Sequence, residues 1–319
     1  MSTSSFRDTL RVRLSRDGIV GVGEGAPIVR YRESAEAGRR VVDDLRPWLE
    51  RQDPSRFRAL ASRVARRVEG QFAARAAIDI AVMDWVGKSL RAPLYSLLGL
   101  DPAETPVTSL SIGIDSPEET RQRVRAAESF PVLKVKMGLD SDEATLEAVR
   151  SVTDKPIRVD ANEGWADKEE AVRKIRWLES QGVEFVEQPM PAAMIEETRW
   201  VRERVHLPIF ADEAALRAED VPRLVGAFDG VNVKLDKCGG IHAALRMIRV
   251  ARSLGMKTML GCMVSSSVSV TAAAHLSPLV DFADLDGNLL VADDPYRGVT
   301  VRDGKLTLPD GPGLGVVAV

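Results

Sequence analysis

The order of apolar and polar residues divides the chain near residue 104. Before that point, two alternating segments at 9–16 and 18–24 flank a tight turn and predict a pair of strands. Helical periodicity follows at 34–49, 54–68 and 71–98. The last of these segments is rich in Ala, Ile and Val, so we expect one long, mostly buried helix. The first part of the chain is therefore predicted to be a small α+β domain.

From residue 105 the pattern changes to short apolar runs that alternate with amphipathic helices. The helices are expected at 141–151, 167–181, 192–204 and 241–254. Apolar runs of this kind are typical of parallel strands that are buried on both faces, which favours a β/α barrel of the TIM type. An open doubly wound sheet is the alternative, but no G-x-G-x-x-G motif follows the first run. The eight runs lie at 107–114, 132–137, 157–160, 184–187, 209–211, 230–235, 257–260 and 281–285.

The segment from 296 to 319 returns to strand and turn residues, with Asp303-Gly304 and a stretch rich in Pro and Gly. We expect it to pack on the N-terminal domain. The predicted division is an α+β domain at 1–104, a barrel that carries the active site at 105–295, and a C-terminal tail at 296–319.

Composition narrows the class of protein without identifying it. A length of 319 residues is enough for about two domains, and 45% hydrophobic with 29% charged residues is an ordinary globular balance. Lys and Arg total 44 against 47 Asp and Glu, so the net charge of −3 gives no basic surplus for nucleic acid. No apolar run reaches the ~18 residues of a membrane span, and the N-terminal residues lack the apolar core of a signal peptide.

The scarcity of cysteine and histidine also has consequences. The two cysteines, Cys238 and Cys262, cannot form a disulfide framework, so a reducing cytoplasm is the expected compartment. Only three histidines are present, which argues against a His-rich zinc site. Proton transfer is therefore expected from carboxylates and lysines.

Acidic residues stand at the C-terminal ends of three successive predicted strands, where barrel enzymes place their active sites. They are Asp160 in V-D-A-N-E-G-W, Glu187 in V-E-Q-P and Asp212 in F-A-D-E-A, separated by 27 and 25 residues, about one β/α unit each. A single acid at such a position is more often a helix cap or a surface ion-pair partner. Three in register, with lysines on both sides, instead predict a site for a hard divalent cation such as Mg²⁺.

Lysines lie on the strands before and after these carboxylates. Lys134 and Lys136 are two residues apart on one strand and so share a face, and Lys234 follows in N-V-K-L-D-K. A neighbouring cation lowers the pKa of a lysine towards the range in which it acts as a base. Lys136 and Lys234 on opposite sides predict racemisation or epimerisation through an enediolate that the metal stabilises. Lys237 is interpreted as a charge in a loop or at a helix start.

Taken in order, these motifs resemble the enolase superfamily, in its muconate-lactonising subgroup. The motifs are K-x-K, D-A-N-x-G-W, E-Q-P, A-D-E, V-N-V-K-x-x-K-x-G-G and G-C-M, and the segment from F-A-A-R-A-A-I-D-I to S-L-L-G resembles a helix of that superfamily's capping domain. The resemblance covers nearly the whole chain. It implies a (β/α)7β barrel with an α+β capping domain that the C-terminal tail completes. It also implies Mg²⁺ held by Asp160, Glu187 and Asp212, acid/base roles for Lys136 and Lys234, and contact of Lys134 with the substrate carboxylate.

A further motif narrows the substrate. F-A-D-L-D-G places Asp284 and Asp286 at the end of the eighth predicted strand and resembles the dipeptide epimerases, typified by the L-Ala-D/L-Glu enzymes, in which this pair holds a free α-ammonium. Two carboxylates suit the three donors of an ammonium group, and the alternative is that they cap the following turn. By the same matching, Ser111 and Cys262 lie against the substrate, and simple packing is the alternative role of Cys262.

Two departures from the family pattern concern the site. After G-C-M the chain reads V-S-S-S where many relatives carry a Glu, and Ser265 and Ser266 do not supply that charge. This fits the dipeptide epimerases better than the succinylbenzoate synthases. The family normally has a strand and a mobile specificity loop before the strand that matches 9–16, whereas residues 1–8 precede it here. We therefore expect that loop to be missing or truncated, so the preferred dipeptide is not predicted.

The sequence thus predicts a Mg²⁺-dependent dipeptide epimerase that acts on the α-carbon of the C-terminal residue by two-lysine 1,1-proton transfer. One alternative within the superfamily is an N-acylamino-acid racemase or o-succinylbenzoate synthase, whose substrates lack a free ammonium. A non-catalytic barrel and a Schiff-base lysine aldolase are further alternatives, although an aldolase does not need three carboxylates. The expected partner is a small dipeptide rather than nucleic acid or membrane, and homo-oligomer formation stays open.

Overall fold

The structure is a computed structural model that describes residues 6–319, and it begins with a hairpin packed on helices. Strands β1 (Leu10–Arg16) and β2 (Ile19–Gly25) pair antiparallel. Asp17 and Gly18 between them both have positive φ, as a two-residue type I′ turn requires. The helices of this region are α1 (Ala35–Leu49), α2 (Phe57–Arg67), α3 (Phe72–Leu90) and α4 (Leu94–Leu97).

Helix α3 lies directly against β2 because the strand presents glycine at every second position. A Cβ atom at Gly21, Gly23 or Gly25 would overlap the backbone of α3. The helix is buried over most of its length, as its apolar composition predicts. The prediction of one helix over 71–98 is wrong, because α3 ends at Leu90, Arg91 after it is in the left-handed region and Pro93 precedes α4. Proline lacks the N–H and disfavours helical backbone in the residue before it.

Eight parallel strands follow in sequential spatial order and confirm the predicted barrel. A bridge between Thr108 and Ala283 joins the first and last strands. The strands are β3 (Leu110–Ile112), β4 (Leu133–Lys136), β5 (Ile157–Asp160), β6 (Val183–Glu187), β7 (Ile209–Ala211), β8 (Gly230–Lys234), β9 (Lys257–Gly261) and β10 (Phe282–Asp284). The surrounding helices are α5 (Pro117–Ala126), α6 (Asp142–Arg150), α7 (Lys168–Ser180), α8 (Ile195–Arg202), α9 (Val221–Leu224), α10 (Leu235–Cys238), α11 (Ile241–Ser253) and α12 (Ser267–Ala274).

The side chains inside the barrel form an apolar lower layer and a polar upper layer. Alternate residues of each strand point outward and join the main core with the helices, while the others point inward. Towards the N-terminal ends of the strands the interior is filled by a separate cluster of Phe185, Phe210, Met259 and Phe282. Glu187, Asp212 and Asp284 stand two positions after Phe185, Phe210 and Phe282 and so point to the same side. The lower end of the barrel is therefore filled by this cluster and by the buried Arg158, whose guanidinium carbon lies 5.5 and 5.0 Å from the Phe185 and Phe282 ring centres. The carboxylates of β5, β6 and β10 stand at the C-terminal ends.

The tail forms two short ladders, β11 (Tyr296–Arg297) with β14 (Val317–Ala318) and β12 (Thr300–Arg302) with β13 (Lys305–Thr307). It contacts α3 and α4, since the Leu314 N–H donates to Asp84 at 2.9 Å and the Leu94 N–H donates to the Gly313 carbonyl at 2.8 Å. Within residues 6–319, no helix combines the length and apolar character needed to cross a bilayer. Residues 1–5, part of the segment expected to lack the specificity loop, lie outside the described residues.

Candidate active site

Three carboxylates converge at the upper end of the barrel. Asp160 ends β5, Glu187 ends β6 in register with it, and Asp212 follows β7. One oxygen from each lies within 4.8 Å of the others, and all three side chains are buried. The structure thus brings together the three residues that the sequence singled out as metal ligands.

Neighbouring polar groups fix the orientation of each carboxylate. The Asn162 N–H donates to Asp160 Oδ1 at 3.0 Å, and Asn232 Nδ2 donates to Glu187 Oε1 at 2.7 Å. Gln188 Oε1 accepts from the Asp212 N–H at 2.9 Å and so holds the backbone after β7. Such hydrogen bonds orient metal ligands before an ion arrives. Sequence analysis did not single out Asn232 or Gln188, although both lie inside motifs that it quoted.

The donor set fits Mg²⁺, in agreement with the prediction. It consists of three carboxylates, and Mg²⁺ prefers oxygen ligands. Glu187 Oε2 is buried and accepts no hydrogen bond, although the Lys134 ammonium lies 2.8 Å from it. An oxygen that has one ion-pair partner and no hydrogen bond keeps a lone pair with which it could also bind a metal ion.

Lys134 lies at the centre of the polar layer and connects two groups of carboxylates. Its Nζ is 3.0 Å from Asp160, 2.8 Å from Glu187 and 2.7 Å from Asp284, and its side chain is only 3% exposed. Burial works against the charged form, but the three carboxylates outweigh burial and hold the pKa of Lys134 well above its ordinary value. Lys134 is therefore a fixed cation between the metal cluster and the acidic pair of β10.

Lys136 and Lys234 approach the cluster from opposite sides. They lie on β4 and β8, four strands apart in the eight-stranded order. Lys136 Nζ is 2.6 Å from Asp160 Oδ2, and Lys234 Nζ is 2.8 Å from Asp212 Oδ2. Burial acts to lower the pKa of Lys234, but Asp212 and Glu187 outweigh burial and raise it above its ordinary value. The protein's own charges thus favour the ammonium form of Lys234.

Lys237 is a further member of the site, and its burial was not predicted from the sequence. It lies in the short helix α10, in agreement with the predicted helix start, and its side chain is 1% exposed. It donates to the Asp212 carboxylate, to the Asp212 carbonyl at 2.6 Å and to the Asn232 carbonyl at 3.1 Å. The available signal was the three-residue spacing from Lys234, which puts both lysines on one side of a helical turn.

The positions of the lysines lower the pKa of two of the three carboxylates and leave the pKa of the third raised. Burial acts to raise the pKa of each. Lys134 and Lys136 outweigh burial at Asp160, and Lys234 and Lys237 do so at Asp212, so the pKa of both lies below its ordinary range. The pKa of Glu187 is raised, because burial and the nearby Asp160 charge prevail over Lys134.

The acidic pair of β10 lies beside the metal cluster. Asp284 Oδ1 accepts from Ser109 Oγ at 2.8 Å, and Asp286 Oδ2 accepts from the Ser111 N–H at 2.7 Å. Asp286 precedes the turn Gly287–Leu290, but its side chain accepts no N–H from that turn, so the capping alternative is wrong for Asp286. Burial and the Asp284 charge raise the pKa of Asp286 to about 6.

Ser111 and Cys262, for which the family resemblance implies contact with the substrate, flank this pair. Ser111 lies on β3, across the barrel closure from β10, and holds Asp286 through its backbone. Cys262 follows β9, and its Sγ accepts the Gly287 N–H at 3.3 Å. Burial, followed by the charges of Asp286 and Asp284, raises the pKa of the Cys262 thiol. A neutral thiol therefore borders the acidic pair.

Glu213 is a further, half-buried carboxylate of this region that was not predicted from the sequence, although it lies in the A-D-E motif. Its Oε1 accepts from Asn162 Nδ2 at 3.4 Å, and its Oε2 is buried without a hydrogen-bond partner. Burial, followed by the charges of Asp212 and Asp160, raises its pKa to about 8. On the same side, Arg30 of the N-terminal region donates to Glu163 Oε1 at 2.7 Å, so that region reaches the rim of the barrel.

Comparison with known proteins places the chain in a family. Residues 1–99 match the model of the mandelate racemase / muconate lactonizing enzyme N-terminal domain, and residues 117–318 match the enolase C-terminal domain-like model. An L-Ala-D/L-Glu epimerase of Bacteroides thetaiotaomicron is 43% identical over 97% of this chain and 81% of its own length.

Solved structures agree with the family models. A dipeptide epimerase from Cytophaga hutchinsonii, complexed with Mg and D-Ala-L-Val, has a TM-score of 0.91 at 27% identity, covering 97% of this chain and 88% of that one. An N-succinyl Arg/Lys racemase from Bacillus cereus has a TM-score of 0.92 at 29% identity, covering 98% of this chain and 88% of that one. The chain belongs to the enolase superfamily, in the group of the mandelate racemases and muconate lactonizing enzymes.

Proposed function

We propose that the protein is a Mg²⁺-dependent dipeptide epimerase that inverts the α-carbon of the C-terminal residue. One observation carries the proposal: a buried acidic pair adjoins a three-carboxylate cluster that has a lysine on each of two opposite sides. Lys134 links the two parts, at 2.7 Å from Asp284 and 3.0 Å from Asp160. The names of the Bacteroides and Cytophaga relatives support the same activity.

The charges suit a short zwitterionic substrate. Asp160, Glu187 and Asp212 would hold Mg²⁺, and Lys134 is the cation next to which the carboxylate of the dipeptide would be bound. The ammonium of the first residue is held by Asp284 and Asp286, whose buried oxygens accept its N–H donors. Mg²⁺ on the three carboxylates, when bound, offsets the negative charge that the substrate carboxylate gains as the α-proton leaves.

Lys136 and Lys234 exchange the proton. One lysine, as the free amine, takes the α-proton and becomes the ammonium. The electron pair of the broken C–H bond is delocalised into the substrate carboxylate, which gives an enediolate. The other lysine, as the ammonium, then gives its proton to the opposite face of the same carbon. The substrate is conserved in composition, no oxidant is needed, and each lysine changes role in the reverse reaction.

The alternative activity is racemisation of an N-succinyl amino acid, which the likeness to the Bacillus cereus racemase supports. Such a substrate carries a carboxylate where a dipeptide carries an ammonium. Asp284 and Asp286 are both buried and acidic at that position, so they favour the cationic group.

Exchange of the α-proton with solvent tests the proposal. The protein is incubated with Mg²⁺ in D₂O, first with a panel of L,L-dipeptides and then with N-succinyl amino acids, and α-deuterium is measured by mass spectrometry. We expect exchange with dipeptides, and we expect Asp284→Asn to raise KM about tenfold or more, because a charge-assisted hydrogen bond is lost. Asp154→Asn, at an exposed aspartate, is the matched control. Exchange with N-succinyl amino acids alone would overturn the assignment, and no exchange with either class would favour a non-catalytic barrel.

Two coarser predictions belong to the same proposal. We propose that the chain divides into a capping domain at 1–104, a barrel at 105–295 and a tail at 296–319 that completes the capping domain, which the contacts of Leu314 and Gly313 support. We also propose a cytoplasmic location, which the free thiols of Cys238 and Cys262 support.

A further inference from the structure

The end of β2 exchanges hydrogen bonds with two barrel loops. Glu24, at 0% exposure, accepts from the Ser266 N–H at 2.9 Å and from the Ser266 hydroxyl. Two residues later, the Ala26 N–H donates to Asp236 Oδ1 at 2.7 Å, and Asp236 is 1% exposed. A carboxylate of the N-terminal region thus holds the barrel, and a carboxylate of the barrel holds the N-terminal region. Both bonds are buried, where a lost partner is costly.

Asp236 belongs to a single helical turn that also carries parts of the active site. Helix α10 begins directly after Lys234 and ends at Cys238, and Gly239 after it is in the left-handed region. Asp236 is bound from the N-terminal region, while Lys237, the next residue, is bound to Asp212 inside the barrel. The turn is therefore fixed from two sides, and Lys234 stands at its start.

The loop after Lys136 is fixed differently. There the Gly138 and Leu139 N–H groups donate to Asp142 Oδ1 at 2.8 and 3.0 Å, and Asp142 belongs to the barrel's own helix α6. The backbone that follows Lys136 is thus held within the barrel. The backbone that follows Lys234 is held from inside the barrel through Lys237 and also from the N-terminal region through Asp236, so the two lysines differ in what positions them.

We propose that Asp236 is a positioning residue that couples docking of the N-terminal region to the orientation of Lys234 and not to that of Lys136. The inference rests on the proposed epimerase function. Loss of the acceptor at Asp236 breaks the bond between α10 and Ala26 of the N-terminal region. Lys234, which precedes α10, can then move relative to the substrate carbon. A displacement of Lys234 by about 1 Å is enough to lower the rate of proton transfer strongly, because the reacting atoms must be aligned.

The stereochemical course of exchange reports on each lysine separately. Consider the epimer whose α-proton is removed by Lys136. It gains deuterium with retention of configuration when Lys136, after exchange with D₂O, delivers a deuteron to the same face. It is inverted only when Lys234 delivers a deuteron to the opposite face. Impairing Lys234 therefore slows inversion from both epimers but leaves exchange with retention in the epimer that Lys136 serves. Lys234→Ala and Lys136→Ala identify which epimer belongs to which lysine.

The experiment measures exchange with retention and inversion for both epimers of one dipeptide, with Mg²⁺ in D₂O. For Asp236→Ala we expect the ratio of retention to inversion to rise about tenfold in the epimer served by Lys136. Asp236→Asn should restore the wild-type ratio, because its carbonyl oxygen still accepts the Ala26 N–H. Asp154→Ala is the surface control, and Asp236→Ser, which is too short to reach Ala26, replaces the alanine variant if that variant does not fold.

The outcomes separate the two proposals. A wild-type protein that exchanges no dipeptide overturns the proposed function itself. A wild-type protein that exchanges dipeptides, together with an Asp236→Ala variant in which retention and inversion fall by the same factor in both epimers, overturns the positioning role alone.

Discussion

Replacing Lys237 with methionine removes a buried cation but keeps most of the volume that its stem fills. The ammonium donates to the Asp212 carboxylate and to the carbonyls of Asp212 at 2.6 Å, Asn232 at 3.1 Å and Ala215 at 3.3 Å. In the Lys237→Met variant these acceptors lose a donor that solvent does not replace, because the side chain is only 1% exposed. The variant therefore tests how much the buried charge stabilises the fold.

The size of the effect follows from the partners that remain. Removing one member of a buried ion pair typically costs about 3–5 kcal/mol. Lys234 still lies 2.8 Å from Asp212, so that carboxylate keeps one cation. We therefore expect the lower end of the range, a loss of about 3 kcal/mol in the free energy of unfolding.

Urea unfolding at 25 °C, followed by circular dichroism and by tryptophan fluorescence, measures this loss. Coincidence of the two transitions supports two-state analysis. The matched control is Lys257→Met, since that lysine is 62% exposed and pairs with Asp281 at 3.0 Å. A surface pair of this kind contributes about 0–1 kcal/mol.

Two results would refute the reasoning. The first is a loss below about 1 kcal/mol in Lys237→Met, since that is the value of a surface pair. The second is an equal loss in Lys257→Met, because it would show that burial of the charge makes no difference. The first result would mean that Lys234 alone holds Asp212 sufficiently.

Three other outcomes are expected. Gly164→Ala should lower the free energy of unfolding by about 3 kcal/mol or more in the same urea assay, because the new Cβ would overlap the backbone of Gly138; an unchanged midpoint would contradict this. Mg²⁺ should raise the melting temperature, with a stabilisation of about 2.7 kcal/mol at 100 times its Kd, and EDTA should reverse it; an Asp160→Asn variant that responds equally would argue against the site. Burial, and then the charge of Glu24, raises the pKa of Asp236 to about 7, so the folded state binds a proton that the unfolded chain has released. The contribution of Asp236 to stability should therefore fall as the pH rises from about 4 to about 7, by up to about 1.4 kcal/mol per unit, and comparison with Asp236→Asn by urea titration should show a flatter profile in the variant.

Much of the barrel was predictable because each of its strands gives a local signal. The run 157–160 is short and ends in Asp160, the apolar run 209–211 is followed directly by Asp212, and the structure places β5 and β7 at these predicted limits. The spacing of the carboxylates carried the site, because in-register parallel strands bring their ends to one place. Local pattern and tertiary position agree at these residues.

Other elements gave no local signal. Helix α12 is buried all round, so the sequence S-V-S-V-T-A-A-A shows no amphipathic period. The burial of Lys237 depends on Asp212, which lies on another strand, and the bond between Glu24 and Ser266 joins residues 242 positions apart. Contacts between such distant segments depend on the assembled fold and cannot be predicted from any one segment of the chain.

The aromatic cluster at the lower end of the barrel limits how substrate and product can enter and leave. Because Phe185, Phe210 and Phe282 fill the lower end together with Met259, a molecule that enters from above leaves by the same path. For an enzyme that interconverts two epimers, substrate and product then enter through the same open end of the barrel and compete for the same binding site. Product inhibition is therefore competitive, and the direction of net turnover follows the relative amounts of the two epimers outside.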